Sequence, residues 1–130
     1  MGVRLLLDTH ALLWWFVDDP ALSVRARVAI TDEDNEVFVS AATAWEIATK
    51  HRLGKLPEAA GAVKRFDGLV AADRFLHMPI DRRHGLRAGA YDVAHRDPFD
   101  RMLAAQAELE RLTLVTADPA FARFPVTTLW

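Results

Sequence analysis

Five short apolar runs constrain this chain more than any other feature. They are Val3–Leu7, Val37–Val39, Phe75–Ile80, Leu112–Thr116 and Val126–Leu129. They are continuous or nearly so, which suits strands buried on both faces. Between them lie helical patterns at His10–Val17, Ser23–Ile30, Ala41–Leu53, Pro57–Ala72, His84–Ala90 and Pro98–Arg111. Gly54 is placed to end the third helix, and Pro57 to open the fourth. Phe99, Met102, Leu103, Gln106 and Leu109 share one side of the last. Helices alternating with short buried strands predict an α/β sandwich around a mostly parallel sheet.

Length and composition set the bounds. At 130 residues the sequence predicts one domain, residues 1–130, with no linker, repeat or low-complexity run. The longest apolar stretch, "LLLDTHALLWWFV", is broken by Asp8 and His10 and falls short of the roughly 18 uncharged residues a membrane span needs. A secretory signal starts with a basic region and ends in small residues, and here the acid Asp8 arrives too early for one. Cysteine is absent, so disulfides and thiolate metal sites are excluded. The expectation is a cytoplasmic protein without membrane contact. A formal net charge of −2 does not advertise a nucleic-acid binder. Acids that gather around a divalent cation would, however, make the working surface more positive than the count.

In open α/β sheets, ligands sit beyond the carboxyl ends of the strands. Four acids fall at such junctions. Asp8 ends the first strand, in "VRLLLDTH". Glu46 follows the second, in "SAATAWEIATK". Asp100 opens the last helix, in "HRDPFD". Asp118 lies just past the fourth strand, in "LTLVTAD". Each also has a plainer reading. Asp8 or Thr9 caps the next helix. Thr43 and Glu46 form a capping box if the helix starts at Thr43, whereas a start at Ser40 frees Glu46 to face the rim. Asp97, before Pro98, is an N-cap. Asp118 before Pro119 is a turn residue. A second acid after Asp97 gains only about 0.3–1 kcal/mol from the helix dipole, so Asp100 is better explained by a cation in front of it. Clustered carboxylates repel, and Mg²⁺ or Mn²⁺ would relieve that repulsion.

With these residues in hand, the chain resembles PIN-domain proteins, and among them VapC-type toxins of toxin–antitoxin pairs. The stretches "LLLDTHALLWW", "SAATAWEIATKHRLGKL", "HRDPFDRMLAAQA" and "LTLVTADPAF" fall in the family's order and spacing. The resemblance implies a three-layer α/β/α domain with a central parallel sheet. It implies a Mg²⁺- or Mn²⁺-dependent endoribonuclease whose products carry a 5′-phosphate and a 3′-hydroxyl. Its four acids map to Asp8, Glu46, Asp100 and Asp118. Asp8, Asp100 and Asp118 would hold the metal, while Glu46 binds it or orients the attacking water. Thr9 and Thr116 stand where the family often has a hydroxyl. Asp97 either assists or only caps. The resemblance also implies a homodimer and a cognate antitoxin partner, with Trp14 or Trp15 as contact points. Arg82, Arg83, Arg87, Arg96 and Arg101 are candidates for RNA phosphates, and Arg101 also for pairing with a carboxylate of the cluster. The five histidines show no ligand spacing and are read as surface or structural.

Two other enzyme classes place aspartates at strand ends. A haloacid-dehalogenase-like phosphatase needs a second aspartate at position 10, which here is His10. A receiver domain wants a late lysine, and none follows Lys64. An inactive binding module on the same fold and a DNA-directed nuclease remain the alternatives.

Overall fold

The computed structural model describes residues 2–130. The strands are β1 (Arg4–Leu7), β2 (Glu36–Ser40), β3 (Leu76–Met78), β4 (Thr113–Val115) and β5 (Thr128–Leu129). The helices are α1 (Thr9–Phe16), α2 (Val24–Thr31), α3 (Ala41–Arg52), α4 (Ala60–Lys64), α5 (Phe66–Ala72), α6 (Arg82–Ala90) and α7 (Pro98–Leu109). Single 3-10 turns at Pro57–Ala59 and Pro119–Arg123 join them. Among the described residues no helix is long and apolar enough to cross a membrane.

The five strands form one sheet in the order β3-β2-β1-β4-β5, with every pairing parallel. The expected sheet was mostly parallel, and it is wholly so. Strand periodicity sorts the core into two layers. Leu5 and Leu7 of β1, with Val37 and Val39 of β2, face α1–α5. Leu6 and Leu114 face α6 and α7. Both faces are therefore covered, giving the three layers, and the strands need no polar alternation.

Some helix starts follow from single caps. Ser40 caps α3 by accepting from the Ala42 N–H, so the helix begins before Thr43 and the Thr43–Glu46 capping box is not formed. Gly54, at φ 72°, closes the same helix in the left-handed region that glycine tolerates. The stretch Pro57–Ala72, read from sequence as one helix, is broken into a 3-10 turn, α4 and α5 at Arg65. Gly61 and Gly68 each weaken a helix by about 1 kcal/mol relative to alanine.

The two adjacent tryptophans, Trp14 and Trp15, share the same degree of cover. Both are half-buried against the core. Helix α1 lies on central strand β1, so its two flanks look toward opposite halves of the sheet. Trp14 packs against Trp130 at a ring separation of 5.8 Å. Trp15 packs against Phe75 at 5.9 Å, and its Nε1 donates to Asp73 Oδ2 at 3.0 Å.

One polar side chain ties the second helical layer to the strand ends. Gln106 of α7 is fully buried. Its Oε1 accepts from the Ser40 hydroxyl, and its Nε2 donates to the Pro79 carbonyl at 3.1 Å. Replacing it by leucine keeps the bulk and orphans the buried Ser40 hydroxyl, at about 1–3 kcal/mol, while the exposed Pro79 residue can turn its carbonyl to solvent. Q106L should therefore lose roughly 1–3 kcal/mol of unfolding free energy in a urea titration. A midpoint equal to that of the parent would show that neither bond matters.

Candidate active site

Strand order places the site. β2 and β3 lie on one side of β1, and β4 and β5 on the other. The chain therefore reverses direction between β1 and β4, and a crevice opens beyond their carboxyl ends. Asp8 follows β1 directly, and its N–H still donates to Val115 O of β4 at 3.1 Å. Asp118 follows β4 by three residues. α3 leaves β2 from the same rim. α7 runs back toward β4, so its first turn sits there too.

Asp8 is 7% exposed. Its Oδ1 accepts from Ala11 N at 2.8 Å, so it caps α1 while facing the crevice. Burial pushes its carboxyl above the usual range. Hydrogen bonds from Thr116 and Ala11 and the charge of His10 oppose this, and the charge of Glu46 adds to it. Glu46 is 4% exposed, on the inner face of α3. The Thr9 hydroxyl donates to its Oε1, and Lys50 Nζ donates to its Oε2. Thr9 is thus a brace for Glu46 rather than a cap.

Asp100 lies in the first turn of α7. Burial raises its pKa to about 6; a hydrogen bond from His95 lowers it, and the charges of Asp97 and Glu46 raise it further. His95 Nε2 lies 2.8 Å from Asp100 Oδ2. Asp97 is the N-cap of α7, accepting from Phe99 N and Asp100 N. Lys50 feels Glu46, Asp97 and Asp100 together. Partial burial lowers its pKa, but the Glu46 bond and these three charges outweigh that and raise it.

The structure therefore groups Glu46, Asp97 and Asp100 around one ammonium, with Asp8 close enough to Glu46 to feel its charge. Asp118 stands at the edge. It is exposed, caps the following 3-10 turn by accepting from Ala120 N, and shares with Asp8 a depression of about 280 Å³ that His10, Trp14, Ala117 and Pro119 also line. Thr116 links the two acids. Its hydroxyl bonds Asp8, and its Oγ1 accepts from Asp118 N at 3.0 Å. A larger depression of about 410 Å³, between α3 and α4–α5, brings no second acid to Asp67.

Arg101 does not pair with a carboxylate. Its guanidinium donates to the carbonyls of Ala88, Tyr91, Val93 and His95, at 2.6–3.1 Å, and fastens the loop that carries His95. Arg83 pairs with Asp81 and Glu110, and Arg87 with Glu108, so neither faces the acids. Among the described residues, the one trio of ligating side chains with donor atoms within 4.8 Å of one another is Asp81, His84 and Glu110. Arg83 already lies 2.8 and 2.7 Å from its two carboxylates. His84 Nδ1 accepts from Asp81 N in a capping box, so this trio secures the start of α6.

Sequence reading missed Lys50 and His95. The E-x-x-x-K spacing at Glu46 and Lys50 announces an (i, i+4) pair and was available. No spacing announces His95, because its partner lies five residues away across the turn into α7.

The sequence model of the PIN domain family matches residues 5–126. A stretch of 33 residues is 52% identical to ribonuclease VapC16 of Mycobacterium tuberculosis, covering 25% of this chain and 23% of that protein. Solved structures are similar over nearly the whole length. VapBC2 from Rickettsia felis, bound to a DNA fragment from its promoter, superposes with a TM-score of 0.71 at 16% identity, covering 98% of both chains. A toxin–antitoxin complex from Klebsiella pneumoniae gives 0.63 at 21% identity, covering 96% of this chain and 95% of that one. FitAcB from Neisseria gonorrhoeae gives 0.60 at 20%, covering 97% and 96%. With the family model matched across nearly all of its length, this chain belongs to the PIN-domain family.

Proposed function

We propose that this chain, acting as one domain, is a metal-dependent endoribonuclease. In this reading it is the toxin of a toxin–antitoxin pair, a cytoplasmic homodimer restrained by a cognate antitoxin protein. The observation that carries the chemistry is the rim that gathers Asp8, Glu46 and Asp100 with too little positive charge among them. The ribonuclease among its relatives and the toxin–antitoxin complexes among its structural neighbours point the same way.

The donor set suits Mg²⁺ or Mn²⁺. All four proposed ligands, Asp8, Glu46, Asp100 and Asp118, are carboxylates. Burial and mutual repulsion raise the pKa of Asp8 and Asp100. Lys50 alone does not reverse this. No three of these four acids bring a carboxylate oxygen within 4.8 Å of one another. That suits an ion that keeps several waters and touches only one or two carboxylates. When bound, the cation would lower the pKa of a water and offset charge on a phosphoryl oxygen.

The protein's own groups do the rest. Asp8, Asp100 and Asp118 would hold the ion directly or through water. Glu46 Oε1, steadied by the Thr9 hydroxyl, would orient the attacking water. Lys50 holds Glu46 Oε2 and so fixes the carboxylate's plane. Thr116 keeps Asp8 and the Asp118 backbone in register.

In an RNA cleavage assay with Mg²⁺ or Mn²⁺, D8N and D100N should each lower the rate roughly a hundredfold or more, the scale of losing one preorganised electrostatic group. Chelator should abolish cleavage by the parent, and undiminished cleavage by either variant would remove the proposal.

A second outcome concerns stability. Folded Asp100 binds its proton near pH 6, against 3.8 for an ordinary aspartate. Its contribution is thus fully present below pH 3.8 and lost as pH rises through 6. At pH 7.5 in chelator the ionised carboxylate costs the fold up to about 3 kcal/mol. D100N should therefore melt higher than the parent at pH 7.5 in chelator, with the gain fading toward pH 4. Mn²⁺ should raise the melting temperature of the parent but not of D100N.

A further inference from the structure

Asp100 differs from the other proposed ligands in what holds its carboxylate. Its backbone is fixed twice. The Asp97 cap accepts the Asp100 N–H, and the preceding Phe99 packs edge-on against Trp45 of α3, a ring 58% exposed, with centroids 4.6 Å apart and planes at 73°. Neither contact touches the carboxylate. Among the described residues, the one hydrogen bond its side chain makes is to His95, whose Nε2 lies 2.8 Å from Oδ2. His95 sits on a stretch, residues 91–97, with no helix or strand of its own. Its ring meets buried Phe124 edge-on, at 5.9 Å and 88°. Arg101, the residue after Asp100, donates to five carbonyls, those of Ala88, Gly89, Tyr91, Val93 and His95. A guanidinium has five N–H groups, so this one is spent wholly on the main chain that carries His95.

We infer that His95 is a positioning residue that turns Asp100 Oδ1 toward the cation, and that Arg101 acts through His95 by holding its loop. The inference rests on the metal-dependent reading above and adds two residues to the same site.

With Asp100 ionised, Oδ2 accepts the ring N–H and is held on the His95 side. Oδ1 is left to meet the ion. A carboxylate free to rotate would lose that freedom at the moment of binding, whereas one already tied to a ring has lost it on folding. Ligating carboxylates are commonly fixed in this way by a hydrogen bond from behind, and losing such a partner costs about 10–100-fold in metal affinity. The ring is not itself a ligand in this arrangement, because the nitrogen nearest the acids is the one that Oδ2 engages. Arg101 matters at one remove. Its bond to the His95 carbonyl, at 2.9 Å, sets where the ring starts from, and it touches no carboxylate.

The test is calorimetric titration of the full chain with Mn²⁺, followed by RNA cleavage. H95L keeps an apolar contact for Phe124 but has no donor, and should bind Mn²⁺ about 10–100-fold more weakly than the parent. H95Q, whose amide nitrogen reaches the place of Nε2, should stay close to the parent. R101K keeps the charge with three donors in place of five, and should weaken binding in the same direction. H95L/R101K should bind no more weakly than H95L alone, as two residues on one path require. At saturating Mn²⁺, H95L should cut RNA at nearly the parent rate. H95L binding Mn²⁺ as tightly as the parent overturns the inference. So does H95Q falling with H95L, which would make the ring a ligand. Slow cleavage by H95L at saturating Mn²⁺ also overturns it and would mark a proton donor instead. A double variant weaker than H95L overturns the part given to Arg101. A parent that binds no Mn²⁺ sinks the metal reading itself, an outcome distinct from a parent that binds and variants that match it.

Discussion

The parallel pairing of β1 between β2 and β4 is the constraint on which the rest depends. Leu5 lies opposite both Val37 and Thr113, and Leu7 opposite Val115. With these registers fixed, the three strands end at one level. Whatever follows each strand must then emerge on the same rim. A slip of one residue in β1 would turn Leu5 and Leu7 into the other layer and rotate Asp8 away from Glu46. Apolar burial on both faces of β1, where Leu5, Leu6 and Leu7 are fully enclosed, is what excludes that slip.

The same burial creates the electrostatic tension at the site. A carboxylate one residue beyond a fully buried strand has little water around it. Asp8 answers with bonds to Ala11 N and Thr116, and Glu46 answers with Thr9 and Lys50. Among the described residues no buried side-chain polar atom is left without a partner. Those partners do not balance the charge. One lysine faces Glu46, Asp97 and Asp100, and His95 leans on Asp100. A fold of this size has only about 5–15 kcal/mol of net stability, so a standing penalty at one rim is a large fraction of it. Such strain persists where a bound partner relieves it, and the cation proposed for this rim would supply that relief.

Much of this was legible in the sequence. Continuous apolar runs marked all five strands, and five of the six helical stretches appear as single helices within a few residues. Ser40 after β2 and Asp97 before Pro98 announced their caps through local chemistry alone. What failed was non-local. Whether Trp14 and Trp15 are covered depends on Trp130 and Phe75, which arrive from opposite edges of the sheet. The role of Arg101 depends on a loop whose carbonyls curl around its guanidinium, and sequence carries no signal for that geometry. The exposure of Trp45 was equally hidden, since a tryptophan beside an acid on α3 gives no hint of which one turns inward.

Capping and cation binding first look like competing explanations for the acids. The geometry makes them one arrangement. Asp8, Asp97 and Asp118 each accept from a backbone N–H at the start of a helix or 3-10 turn through a single oxygen, Oδ1. That bond fixes where each carboxylate sits and how it is turned, without using the whole group. A flexible acid would lose side-chain entropy on meeting an ion, whereas a capped one has already lost it on folding. Helix starts also carry partial positive charge, which lets several acids stand close together before any cation arrives. Asp100, paired with His95, and Glu46 are the exceptions, and Glu46 lies the further from a cap. It lies in the second turn of α3, beyond the reach of its own helix start, and it is the acid that Thr9 and Lys50 hold from other positions. The side chain furthest from any backbone cap is therefore oriented by side chains, which is what the water-orienting role proposed for it would require.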